Sequence, residues 1–338
     1  MIISENISLK PYNTFGIDAK ARCFVDLLSD DDVTGFLKEK DKFPKPLLFL
    51  GSGSNVLFRK DFDGTVLRIL TKGIDIRKEE GDRLFVNAAA GEIWDDFVSY
   101  TVGKGWGGLE NLSLIPGMVG TAPVQNIGAY GVELKDVLHE LEAVGVDNPE
   151  PRIFTNAECE FGYRESIFKR KLKNKYLIVN VTFRLDKIPV LKLDYGTIRQ
   201  ELNRKNIDHP TLAQVRELVS SIRRSKLPDP SVTGNAGSFF KNPVIPGGKF
   251  LELKDKFPEI VSFPQGDHFK IAAAWLIEQC GWKGKRIGDA GVHENQSLVL
   301  INYGSAAGDE ILDLAEQIKR SVREKFGIVL EPEVNIIG

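Results

Sequence analysis

Asn111-Leu-Ser-Leu-Ile-Pro-Gly-Met-Val-Gly-Thr-Ala-Pro-Val-Gln-Asn-Ile-Gly-Ala-Tyr-Gly-Val132 carries no charged side chain, in a chain that is 27% charged. Pro116, Pro123 and the glycines at 117, 120, 128 and 131 bar it from being a membrane helix, and so do Gln125 and Asn126. A solvated loop would carry Lys, Glu or Asp. What remains is backbone laid against a polar ligand without side-chain counter-charges. Glycines let main-chain N–H groups approach an anion closely and form nests for it. A dinucleotide diphosphate held by amides, with the apolar residues against an isoalloxazine or adenine ring, meets that description.

Upstream, Leu48-Phe-Leu-Gly-Ser-Gly-Ser-Asn55 reads as a strand entering a small-residue turn. It is either a phosphate loop of amides and hydroxyls or an ordinary strand-to-strand turn. It is not a Rossmann fingerprint, because Val56 stands where the third glycine of GxGxxG belongs. A literal GxGxxG at Gly103, Gly105 and Gly108 follows a helix rather than a strand, and is rejected for that reason.

The bulk numbers narrow the class. A length of 338 residues exceeds one ordinary core, and 42% hydrophobic content describes a globular chain. A formal net charge of −2 argues against a nucleic-acid surface. No apolar run is long enough to span a bilayer, and no signal peptide is evident in MIISENISLKPYNTF, so no membrane partner and a cytoplasmic location are expected. Cys23, Cys159 and Cys280 lie outside any CxxC, and His139, His209, His268 and His293 lack ligand spacing; neither a disulfide framework nor a metal is expected.

Periodicity predicts strands over 24–28, 46–50, 84–89, 141–146, 176–185, 297–302 and 328–337. It predicts helices over 30–40, 92–102 (Ile93, Phe97 and Tyr100 on one face), 269–280 and 308–326, the last stopped by Gly327. Leu212, Val215, Leu218, Val219 and Ile222 mark a further helix ending near Pro228. Boundaries are expected near 72 and 215, dividing the chain into 1–72, 73–215 and 216–338.

Several segments carry chemistry-bearing residues. In Glu160-Phe-Gly-Tyr-Arg-Glu165, Arg164 either clamps a carboxylate or developing enolate, or pairs with Glu165 at the surface. In Gly234-Asn-Ala-Gly-Ser-Phe-Phe-Lys-Asn-Pro243, Ser238 lacks a nucleophile elbow; it is a polar turn residue or a proton donor to a very basic carbanion. Pro332 extends Glu331, so Glu331, Glu333 and Asn335 share a face: a solvated strand, or an acid/base candidate if that face lines a cavity. Arg223, Arg224 and Lys226 close a helix and suit either its dipole or a diphosphate. The basic run 169–175 reads as a solvated loop, with an NADPH phosphate as its secondary reading.

Taken in order, Asn13-Thr-Phe-Gly16, Gly51–Asn55, Gly108-Leu-Glu-Asn-Leu112, Ile115–Gly120, Gln125–Gly131, Phe161-Gly-Tyr-Arg164, Gly234–Pro243 and Glu331-Pro-Glu333 closely resemble the UDP-N-acetylenolpyruvoylglucosamine reductases, flavoenzymes of peptidoglycan precursor synthesis. The resemblance covers nearly the whole chain. It implies an α+β fold: a two-lobed FAD-binding module of the vanillyl-alcohol-oxidase type, plus a C-terminal α/β substrate domain. It implies non-covalent FAD at Gly51, Ser52, Gly53, Ser54, Asn55, Pro116, Gly117, Gly120, Thr121, Asn126, Gly128 and Arg164. By the same carry-over, Ser238 is the proton donor, Arg164 and Glu333 stabilise the intermediate, and Tyr195 belongs to the loop that closes over the UDP-sugar. Tyr163, Arg223, Lys226, Asn242 and Gln296 match substrate-contacting positions. NADPH is implied as co-substrate and a monomer is expected. The nearest rivals are a flavin oxidase of the same fold, which often tethers flavin through a His or Cys absent from 51–55 and 111–132, and a non-catalytic nucleotide-binding module.

Overall fold

The computed structural model describes residues 1–338, which separate into two compact units. The first comprises Met1–Ile7, Ala21–Ser52 and Asp63–Arg223; the second comprises Ser8–Lys20, Gly53–Phe62 and Arg224–Gly338.

In the first unit, strands Ile2–Ser8, Lys20–Leu27, Phe62–Ile69 and Leu47–Phe49 form a sheet in that order, with Leu47–Phe49 parallel to Phe62–Ile69. The helix Asp30–Glu39, capped by the Ser29 hydroxyl, buries Val33, Phe36 and Leu37 against Cys23, Val25 and Leu27 of that sheet. A second, antiparallel sheet runs Pro151–Thr155, Leu138–Gly145, Tyr176–Asp186, Arg83–Ala89, Ile74–Glu80. Its core receives Trp94, Phe97 and Val98 from the helix Trp94–Gly103, and Phe97 meets Phe183 at 4.8 Å between ring centres. This corrects the expected face of that helix: Ile93 and Tyr100 are 48% and 39% exposed, while Trp94, Phe97, Val98 and Thr101 point inward. Trp94 takes over as anchor because its indole N–H also reaches the Leu112 carbonyl (2.9 Å). Helices Gly196–Arg204 and Leu212–Lys226 share a small core of Ile198, Leu202, Val215, Leu218, Val219 and Ile222, with Tyr130 packed on it.

In the second unit, strands Gly234–Ser238, Val299–Asn302, Ala290–Val292 and Arg286–Ile287 form a sheet carrying the helix Gly308–Phe326, which ends at the left-handed Gly327 (φ +62°) as its sequence predicts. A three-stranded sheet, Val244–Pro246, His268–Ile271, Ser262–Gln265, packs Phe269 flat on Phe250 of the helix Gly247–Lys256. The helix expected over 269–280 therefore begins only at Ala273: Ile271 is buried, and ladder pairing on both sides claims 268–271 first. The expected strand over 328–337 is likewise shorter. Only Asn335–Ile337 is a strand, parallel to Val56–Phe58, while Pro332 makes one isolated bridge to Phe240.

Candidate active site

Within the first unit the neutral stretch lies along 90–94. Trp94 N–H donates to the Gly117 carbonyl (3.1 Å), Val119 N–H to Glu92 (2.9 Å) and Gly120 N–H to Ala90 (2.9 Å). A Cβ on Gly120 would sit 2.5 Å from the Ala90 Cβ, so packing against its own chain already requires that glycine, and its amide is committed. Pro116 is exposed and Gly117 adopts φ +144°, a backbone open to glycine. A Cβ on Gly51 would lie 2.7 Å from Thr121 Cγ2; the 51–55 turn and the neutral stretch thus touch through Gly51 and Thr121, with half-buried Ser52 next in line. The Thr121 hydroxyl donates to the Met118 carbonyl (3.0 Å).

Arg164 is drawn onto the same stretch. Its Nη2 donates to the Gly128 carbonyl (2.8 Å), and a Cβ on Gly128 would come 3.0 Å from Nη1. Arg164 itself has φ +56°, in the left-handed region that few non-glycine residues adopt. Its guanidinium lies 5.6 Å from the Tyr163 ring centre. Tyr195 leads into the helix Gly196–Arg204 and meets Tyr130 edge-on at 5.5 Å. Burial pushes the Tyr130 phenol up, against the pull of Arg223 and together with Tyr195. Burial lowers the Arg223 pKa, Tyr130 raises it, Arg164 lowers it and Asp95 raises it. Two arginines and two tyrosines therefore form one electrostatically linked group in this unit.

Asp95 escaped the sequence reading. Arg216 holds both its carboxylate oxygens (2.7 and 2.9 Å), it accepts the Leu114 amide (2.5 Å), and the Leu114 carbonyl accepts Arg223 Nε (3.2 Å). Leu114 is left-handed at φ +57°. Burial would raise the Asp95 pKa, but the Arg216 bond, the Leu114 amide and the coulombic pull of Arg216 and Arg223 leave it lowered. Its charge alone, on a helix with Asp96 beside it, gave no signal of such a partner.

In the second unit, Ser238 ends the strand Gly234–Ser238 opposite Val299, just after a register shift between Asn235 and Ser238. Gly237 supplies the φ of +67° for that bulge, a device that re-aims the following side chain. Phe239 and Phe240 are buried behind it. The Glu333 amide donates to the Phe239 carbonyl (2.8 Å), the Lys241 amide to the Glu331 carbonyl (2.9 Å), and Asn55 Nδ2 to the Glu333 carbonyl (3.3 Å). Ser238, Glu333 and Asn55 are thereby brought together. Gly53 (φ +67°) is forced by the Tyr12 carbonyl, 2.0 Å from any added Cβ, and its own carbonyl accepts the Thr14 amide; Ser54 beside it is half-buried.

Three further residues were expected to contact the substrate. Asn242 Oδ1 caps the helix Ala273–Gln279 by accepting the Ala273 amide (2.9 Å), so its Nδ2 is the group that could serve a ligand. Gln296 turns its Oε1 toward the Leu298 amide (3.4 Å), and Lys226 is exposed at the end of Leu212–Lys226.

The residues of the first unit fit a dinucleotide. Gly51, Ser52 and Thr121 offer a small neutral surface; separately, two buried polar atoms of this unit, Thr71 Oγ1 and Asn111 Oδ1, have no protein partner. Such atoms cost roughly 1–3 kcal/mol each until a partner satisfies them.

The family described as FAD binding domain matches residues 21–148, and that described as UDP-N-acetylenolpyruvoylglucosamine reductase, C-terminal domain, matches 229–337. The UDP-N-acetylenolpyruvoylglucosamine reductase of Flavobacterium johnsoniae is 50% identical over 339 residues, 100% of either chain. That of Pseudomonas fluorescens is 49% identical over 335 residues, 99% of this chain and 98% of the other. A solved structure of UDP-N-acetylenolpyruvylglucosamine reductase from Thermus caldophilus aligns over 100% of both chains with a TM-score of 0.71 at 22% identity, and the fold is shared. The expected α+β fold, an FAD-binding module followed by a C-terminal domain, is the fold found.

Proposed function

The chain belongs to the UDP-N-acetylenolpyruvoylglucosamine reductase family, and we propose that it reduces the enolpyruvyl ether of UDP-N-acetylglucosamine-enolpyruvate to UDP-N-acetylmuramate in peptidoglycan precursor synthesis, with NADPH as electron donor. Half of all positions being identical over the full length of both chains is the observation that carries this reading. FAD, held without a covalent tether, would supply hydride chemistry at its N5 atom. Gly51, Ser52, Gly53, Ser54, Asn55, Pro116, Gly117, Gly120, Thr121 and Gly128 are the residues that would hold it, through small side chains and close backbone approach.

Reduction of the alkene places negative charge on the carbon beside the substrate carboxylate. The planar donors of Arg164, already anchored on Gly128, spread that charge over the carboxylate oxygens, and a proton carried by Glu333, or a hydrogen bond through it, serves the same charge. Ser238 then passes its hydroxyl proton to the carbon. Serine is too weak an acid for ordinary bases, but a carbanion is basic enough to take the proton. Tyr163, Tyr195, Arg223, Lys226, Asn242 and Gln296 are assigned to gripping the UDP-sugar. No helix of the chain is long and apolar enough to cross a membrane.

The test is an anaerobic visible spectrum of the purified protein, reduced with one equivalent of NADPH and then mixed with the enolpyruvyl sugar. Return of the oxidised flavin band on adding the sugar is expected. Reoxidation by oxygen alone would favour an oxidase, and a missing flavin band after FAD supplementation would overturn the cofactor assignment.

A further inference from the structure

We propose that Asn126 is a positioning residue for Arg164 rather than a flavin contact. The proposal rests on the reading above, in which Arg164 meets the developing charge. Asn126 has no exposed surface. Its carboxamide has two N–H donors and one carbonyl oxygen, and all three are engaged by the protein. Nδ2 donates to the Gly162 carbonyl (2.9 Å) and to Glu133 Oε2 (3.2 Å), while Oδ1 accepts the Lys135 amide (3.0 Å). A side chain so enclosed presents nothing to a ligand.

What it holds is the turn that carries the arginine. Gly162 and Glu165 close that turn through mutual backbone bonds (3.0 and 3.2 Å), which keep Arg164 left-handed between them. The turn is fastened to the segment 124–128 at three points: Ser166 Oγ to the Val124 carbonyl (2.6 Å), Asn126 Nδ2 to the Gly162 carbonyl, and Arg164 Nη2 to the Gly128 carbonyl. Lys169 Nζ adds a bond to the Arg164 carbonyl itself (3.3 Å). Among the three fastenings, only the one at Asn126 uses a side chain of the 124–128 segment. Asn126 sits at φ +45°, a conformation asparagine tolerates better than most residues, so its side chain can reach Gly162 without excessive backbone strain. Displacing a charge-stabilising group by about 1 Å costs roughly 10²-fold in rate.

Asn126→Asp tests this. It preserves shape and the acceptor for the Lys135 amide but removes both donors. The expected result is unchanged FAD affinity, titrated into flavin-free protein, and unchanged flavin reduction by NADPH. Single-turnover reoxidation by the enolpyruvyl sugar should slow by about 10²-fold. In an Arg164→Lys background the same change should add little, because the two residues act through one group. A parallel fall in FAD affinity, wild-type reoxidation, or additive losses in the double variant would overturn the proposal. Wild-type protein that the sugar does not reoxidise would instead overturn the functional reading. Should Asn126→Asp fail to fold, Asn126→Gly, for which a positive φ is unstrained, carries the same comparison.

Discussion

The amide of Glu333 donates to the carbonyl of Phe239 at 2.8 Å, which ties the residue after Ser238 directly to Glu333. The Phe240–Pro332 bridge and the bond from the Lys241 amide to the Glu331 carbonyl extend the same short antiparallel contact. With Phe239 and Phe240 buried behind it, neither segment can shift without the other. The proposed acid and one proposed stabiliser therefore share a single rigid frame.

Ser238→Ala should leave FAD bound and flavin reduction by NADPH intact, while reduction of the enolpyruvyl sugar slows by about 10²–10⁴-fold, the usual worth of a general acid. Stopped-flow absorbance resolves the two half-reactions. Loss of the NADPH step in this variant would contradict the role given to Ser238.

Two glycines with the same φ of +67° should respond differently to alanine. Gly53→Ala brings a Cβ to 2.0 Å from the Tyr12 carbonyl and should cost on the order of 3 kcal/mol, whereas Gly16→Ala meets nothing within 4 Å and should cost about 1 kcal/mol. Denaturant unfolding of flavin-free protein measures both, and equal losses would show that steric contact is not what sets Gly53 apart.

Asp95→Asn leaves the Arg216 charge without its partner and should destabilise the protein by roughly 3 kcal/mol at neutral pH. The Asp95 carboxyl has a lowered pKa in the folded state, so its contribution is fully present above the ordinary carboxylate range. It is lost as pH falls through the folded value. The gap between wild type and variant should close in acid; a gap independent of pH would mean that packing, not charge, is lost. Because the relay runs through Leu114 to Arg223, a higher KM for the sugar is expected as well.

Thiol reagents should find Cys280 first. Burial pushes the Cys159 thiol up to about 12 and raises those of Cys23 and Cys280 as well, but Cys280 has Lys325 pulling the other way and is only half-buried, whereas the other two are buried. Timed labelling followed by peptide mapping should show Cys159 reacting only on unfolding; its early modification would refute the burial argument.

Local patterns were readable where one segment decides its own fate. The helix Gly308–Phe326 with Gly327 after it and the buried stripe Leu212, Val215, Leu218, Val219 and Ile222 fall in this class. Reading failed where a distant partner decides. Phe269–Ile271 joins a strand because Val244–Pro246 and Ser262–Gln265 flank it, and Ile93 yields the inward face to Trp94 because Leu112 offers a carbonyl. The candidate site divides the same way. Residue types at 164, 238 and 333 hinted at enolate chemistry, but the bulge at Gly237, the fastening by Asn126 and the Asp95 relay exist only once separate segments meet.

The parallel pairing of Asn335–Ile337 with Val56–Phe58 has a bearing on biosynthesis. A chain leaving the ribosome exposes 56–58 long before 335–337 exists, and the second unit draws on Ser8–Lys20, Gly53–Phe62 and Arg224–Gly338 alike. That unit can complete only once 335–337 has been made, by closure of a very long loop. Until then Val56, Leu57 and Phe58 lack the strand that pairs with them, and an apolar edge stays without its partner.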